Sequence, residues 1–236
     1  MIKKGYEEEF LPRELGLKLM RDLPRSNYRE KINLVDNYVK TIKSTFGSTA
    51  FEVRYHNEIG FIYWDAEEYA LAVAHYKKAI TPLDPKDYSY LYFLIICFLI
   101  RGERHLKNYA SSYKWVDMAF KNMTFIESSF EKLNILKEYA DLLKETGEDF
   151  DYDTNIIMDI IEDLGFKIAL KNPVETIHLL KQNNLEWNKK FGKIVLMKNV
   201  SKEEVLDAYK EFKKNCPIKY YRNLASEKII LLNGEL

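Results

Sequence analysis

Residues 53–85 read VRYHNEIGFIYWDAEEYALAVAHYKKAITPLDP, and they decide the fold. Two helices are legible in them, one over roughly residues 51–65 and one over 67–81, with Pro82 and Pro85 behind the second. Gly60 in the first and Ala72 and Ala79 in the second place small side chains where two backbones must approach closely. Tyr63, Tyr69 and Tyr76 recur at helical spacing and fill the gaps between turns. Such a pair buries one face of each helix against the other and leaves two faces needing neighbours.

Working outward, the same kind of segment recurs in both directions. Pro12 suits the first turn of a helix running to about residue 23, closed by Pro24. Ser26 or Asn27 then caps a helix whose apolar positions Tyr28, Ile32, Val35, Val39, Ile42 and Phe46 step by three and four, and Gly47 ends it. Downstream, a very apolar helix covers 87–101 and is expected to stop at Gly102, followed by one over 108–123. Ser128 or Ser129 caps the next, which ends at Gly147, and another begins near Asp153 or Thr154. Asn172-Pro173 opens a short helix over 174–182 that Asn183-Asn184 should break, with a further helix over 185–198. Ser201 and Glu204 form a capping box for a helix reaching Asn215, and Cys216-Pro217 separates it from a last one over 218–232. No convincing period-two strand interrupts the series, so the fold class is all-α.

Residues 53–85 resemble a tetratricopeptide repeat, a helix–turn–helix unit of roughly 34 residues. Ile59-Gly60 and Tyr63 fall at the family's first-helix positions, and Tyr69, Ala72, Tyr76 and Ala79 at its second-helix positions. His56 stands where a tryptophan is usual, and the closing proline comes one residue late, as Pro85. The flanking pairs are degenerate. Leu91, Leu94, Phe98 and Gly102 fit a first helix and Tyr109, Ser112 and Ala119 a second, if residues 103–107 are taken as an insertion. Leu136, Tyr139, Ala140, Leu143 and Gly147 fit a third, whose partner from Thr154 lacks the alanine spacing. The resemblance implies antiparallel hairpins stacked as a right-handed α-solenoid over residues 1–165, with an extension of further helices over 166–236 packed on it.

It also implies a concave groove lined by the first helices. Arg54, Asn57, Phe61, Trp64 and Asp65 would face it from the clear repeat, Tyr92 with Ile96 and Leu99 from the next, and Asn134, Lys137, Asp141 and Lys144 from the third. Aromatic anchors beside Arg and Asn suit a protein or peptide segment laid into a groove. Tyr92, Ile96 and Leu99 fit burial beneath the C-terminal helices better than contact with a ligand. Because Tyr92 and Ile96 stand where basic groups would be needed, a clamp for a C-terminal carboxylate is not expected.

Composition narrows the function further. Among 236 residues, 47% are hydrophobic and 31% charged, with 36 basic and 36 acidic side chains. Residues 167–236 carry 14 basic against 8 acidic groups, so the remainder is acidic by the same margin, and such asymmetry can steer partners. Cys97 and Cys216 do not suggest a disulfide framework, and the start MIKKGYEEEF lacks the apolar stretch of a secretory signal. The apolar run LYFLIICFLI over 91–100 is too short to span a bilayer, so a cytoplasmic protein without a membrane partner is expected.

The four histidines, His56, His75, His105 and His178, share no helix-face spacing and read as packing or surface groups. The acidic run from Glu148 to Asp153 opens like a calcium loop but has Ile160 where the closing glutamate belongs. No metal, cofactor or catalytic motif is expected, and therefore no enzyme. Lys213, Lys214, Lys219 and Arg222 interleave with Tyr220 and Tyr221, which reads as a solvated helix end and no nucleic-acid grip. The expected function is an adaptor that binds a protein segment; the alternative is a cytoplasmic immunity protein neutralising one toxin or effector.

Overall fold

Gly60 meets the ring of Tyr76. A Cβ built on Gly60 would lie 3.0 Å from the Tyr76 ring, and Ala72, Tyr76 and Ala79 are completely buried. This contact joins α3 (Ser48–Asp65) to α4 (Tyr69–Ile80) in the computed structural model, which describes residues 5–234. Residues 1–4 of the stretch read for a leader lie outside the described residues. Among the described residues the other helices are α1 (Arg13–Leu17), prolonged by a π-helical turn over Lys18–Asp22, α2 (Tyr28–Ile42), α5 (Ser89–His105), α6 (Tyr109–Lys121), α7 (Ser129–Thr146), α8 (Asn155–Leu164), α9 (Pro173–Val195), α10 (Lys202–Asn215) and α11 (Lys219–Asn233). No β-strand forms among them.

The second hairpin repeats the first. Asp65 ends α3 and His105 ends α5; Tyr69 opens α4 and Tyr109 opens α6, both at an offset of 40 residues. The turns between them are the same turn. Ala66, Glu67 and Glu68 donate their amides to the carbonyls of Ile62, Trp64 and Tyr63, and Leu106, Lys107 and Asn108 to those of Gly102, Arg104 and Glu103. Glu67 and Lys107 both adopt a left-handed conformation, with φ of 62° and 60°. Ser112 stands where Ala72 does, and its hydroxyl donates to the Ile100 carbonyl, the place Gly60 holds in the first hairpin. The helices therefore stack in a repeat arrangement, α4 against α5 as well as within each pair. Residues 103–107 are no insertion; their first three prolong α5.

Gly102 consequently does not stop α5, contrary to the sequence expectation. A Cβ there would come within 2.5 Å of Val73 Cγ2, so the glycine lets α4 and α5 approach. Glu103, 1% exposed, reinforces that seam by pairing with Lys77 at 2.6 Å and accepting from Asn108 at 2.9 Å.

The chain folds as two compact units, Met1–Glu127 and Ser128–Leu236. In the second unit α7 packs on α8 and α9, and α8 on α11, which ties α7 to the C-terminal helices. In the N-terminal unit, Phe10, Leu19, Val35, Val39, Phe46, Phe51, Ile59 and Ile62 form one core under α2, α3 and the segment before them.

In the C-terminal unit, α9 runs unbroken for 23 residues through Asn183-Asn184. Both asparagines are satisfied inside the helical arrangement: Asn183 donates to the Leu179 carbonyl at 2.9 Å, and Asn184 accepts from the Tyr221 hydroxyl at 2.8 Å. Trp187 and Phe191 from α9 then meet Phe212, Tyr209 and Tyr221 edge-on or tilted. The capping box at Ser201 and Glu204 forms as read, with bonds of 3.1 and 2.7 Å.

Candidate functional site

The α3 residues expected to line a groove fall into two kinds. Arg54 and Asp65 are already held by the chain. The Arg54 guanidinium donates to the carbonyls of Tyr6 and Glu8, the latter at 3.3 Å, and lies 5.7 Å over the Phe10 ring. Asp65 accepts from Lys31 at 3.0 Å and pairs with Arg25 at 3.1 Å, and Lys31 is only 2% exposed. A carboxylate that neutralises a buried lysine is committed to the fold.

Asn57, Phe61 and Trp64 are half-buried. Phe61 meets the edge of Phe98 at 6.2 Å and lines a cavity of about 130 Å3 with Leu11, Gly16, Leu19, Met20, Lys31, Glu58, Ile62 and Asp65. Burial raises the Glu58 carboxyl above its ordinary range, with Arg54 opposing the shift. Trp64 packs edge-on against Tyr69 and Phe98 at 5.1 Å and His105 at 5.8 Å, with the Arg101 guanidinium 5.7 Å from its ring.

The remaining expected site residues are engaged within their own units. Tyr92 is 5% exposed, and its hydroxyl accepts from Asn122 at 3.3 Å. Ile96 and Leu99 are completely buried. Tyr92 is thus a packing residue, on the side of α5 where Ile96 and Leu99 are also buried; the partly open face of the run carries Leu94, Cys97 and Phe98. In the C-terminal unit, Lys137 and Asp141 pair at 2.6 Å, and His178 of α9 reaches Asp141 at 2.8 Å. Lys181 donates to Asn134 beside them. The polar face of α7 is therefore covered by α9, a helix whose full length the sequence does not reveal.

The fold also makes a cluster that sequence spacing misses. His56 on α3 and His75 on α4 place their Nδ1 atoms 3.1 Å apart, with ring centroids at 5.1 Å. Tyr55 and Tyr63 flank them, and the Tyr55 hydroxyl donates to Asp36 at 2.8 Å. Burial and then that hydrogen bond push the Tyr55 phenol up to about 12. Burial lowers both imidazoles, His75 to about 4 with His56 and Lys78 adding to the effect. Only the identity of the turn at Glu67, which fixes the register of α3 on α4, could have signalled this pairing.

Among the described residues no group of three or more His, Cys, Asp or Glu side chains is placed to hold a metal ion, and no helix is long and apolar enough to cross a membrane. Fold and side-chain placement together define an all-α protein of stacked helical hairpins with a helical-repeat arrangement. Compared with protein-family models, curated proteins and solved structures, the chain matches none.

Proposed function

We propose that this chain is a tetratricopeptide-like adaptor that holds a protein segment along α3, chiefly through Asn57, Phe61 and Trp64. The observation that supports this most is the way Arg54 treats the N-terminal segment. Its guanidinium donates to main-chain carbonyls two residues apart, at Tyr6 and Glu8, so it grips the backbone of a bent, non-helical segment irrespective of side chains. Beside it, Phe61 and Trp64 offer partly open aromatic surface, which supplies anchoring area at little conformational cost. An incoming segment would lie next to the one already docked. Asp65, Tyr92, Lys137 and Asp141 are left out of this surface because the fold employs them.

A pull-down with mass-spectrometric identification, comparing wild type with a Phe61→Ala/Trp64→Ala variant matched for helical circular dichroism, tests the reading. Loss of a reproducible partner is expected; a folded variant that keeps every partner sinks the assignment. Should the double variant not fold, Asn57→Ala, which removes no ring packing, takes its place. One tight, dedicated partner in place of several weaker ones would redirect the proposal to the immunity-protein alternative.

A further inference from the structure

His56 and His75 come from the two helices of one hairpin and meet at 3.1 Å through like atoms, Nδ1 to Nδ1. At that distance one nitrogen carries a proton and the other accepts it. His56 Nε2 faces the Glu52 carboxylate at 3.7 Å, which favours a proton on Nε2 and leaves His56 Nδ1 bare. His75 Nδ1–H is then the donor. We propose that this contact is an acid-sensitive catch on the α3–α4 hairpin, closed with at most one added proton and opened by the second.

The chemistry of the two steps differs. A first added proton goes onto His56 Nδ1, on the ring beside Glu52. The His75 proton moves to Nε2, His56 Nδ1–H donates to His75 Nδ1, and the hydrogen bond becomes charge-assisted. The second must go onto His75 Nδ1, on the ring that burial and the neighbouring His56 lower to about 4. Two N–H groups then point at each other, and two unit charges face each other across the seam, so the contact becomes repulsive. The other charged or titratable groups around the pair are Asp36 from α2, Glu52, Tyr55 and Tyr63 from α3, and Lys78 from α4. The two carboxylates favour charged rings, but Asp36 already accepts from Tyr55, and Lys78 opposes them. Burial decides the balance against protonation.

In an unfolded chain each imidazole titrates near about 6.5. Because the folded pair takes up protons less readily, the unfolded chain binds more of them below that pH. The catch's contribution is therefore complete above about pH 6.5 and is lost as pH falls from there toward 4. The inference is independent of what the chain binds.

Two measurements test it on the full chain. Thermal unfolding at pH 7 and pH 5 is compared for wild type and His56→Gln/His75→Gln, and histidine ring signals of the wild type are titrated by NMR. The wild-type Tm should fall by roughly 3–6 °C more than that of the variant. Two of the four histidines should titrate as a coupled pair whose second step lies well below the ordinary range. Equal loss of Tm in both proteins, or two rings titrating independently at ordinary values, would overturn the proposal. If the double variant does not fold, the wild-type ring titration decides alone.

Discussion

In the N-terminal unit α3, α4 and α5 meet through glycine, alanine and flat rings, with Gly60 against Tyr76 and Gly102 against Val73. In the C-terminal unit α7 and α9 bury Ile177 and Leu180 but finish the contact with paired polar groups, Asp141 with His178 and Asn134 with Lys181. The first kind of seam is fixed by volume, since a closely packed interior cannot absorb an extra methyl without displacement. The second is fixed partly by half-exposed charges, whose geometry can relax and whose attraction water screens. Two aspartates show the contrast within a single residue type. Asp65 holds a lysine that is 2% exposed, whereas the partners of Asp141 are 29% and 32% exposed.

Replacing Asp65 should therefore have the largest effect. Asp65→Ala strands the Lys31 ammonium in the core and is expected to cost about 3 kcal/mol in urea unfolding. A loss below about 1 kcal/mol would mean that Lys31 escapes to solvent and that the two aspartates do not differ. Gly102→Ala comes next, at about 2 kcal/mol, because its new methyl meets Val73 Cγ2 rather than a movable chain end. A paired Gly102→Ala/Val73→Ala variant should recover part of that loss, and no recovery would show that the strain lies elsewhere. Smallest is Asp141→Ala, expected to cost no more than about 1 kcal/mol. A cost equal to that of Asp65→Ala would erase the comparison.

The same contrast explains what is legible in the sequence. Gly60, Ala72, Tyr76 and Ala79 announce the α3–α4 seam because small and flat residues at helical spacing leave a periodic trace. Gly102 misleads because a glycine for close approach and a glycine for ending a helix look alike in one dimension. Asn183-Asn184 looks like a break, yet the Leu179 carbonyl and the Tyr221 hydroxyl satisfy both side chains within the folded unit. The 40-residue offset between the hairpins stays hidden because the turns share a conformation but no residue types, Ala-Glu-Glu in one and Leu-Lys-Asn in the other. Of the expected site, Asn57, Phe61 and Trp64 keep partly open surface. Arg54, Asp65, Tyr92 and Asp141 face partners that lie 30 to 48 residues away in sequence and that only the folded chain brings to them, while Lys137 pairs with Asp141 one turn on along α7.

Arg54 and the segment it clamps also impose an order on synthesis. Tyr6 is made 48 residues before the guanidinium that holds its carbonyl, and Phe10 before both Phe46 and Phe51, against which it packs. At about 5–20 residues per second, the interval is on the order of 2–10 s. Throughout it, the emerging chain carries an uncovered phenylalanine and no finished core to receive it. Ribosome-associated chaperones that recognise short apolar stretches have that window, and completion of α3 closes it.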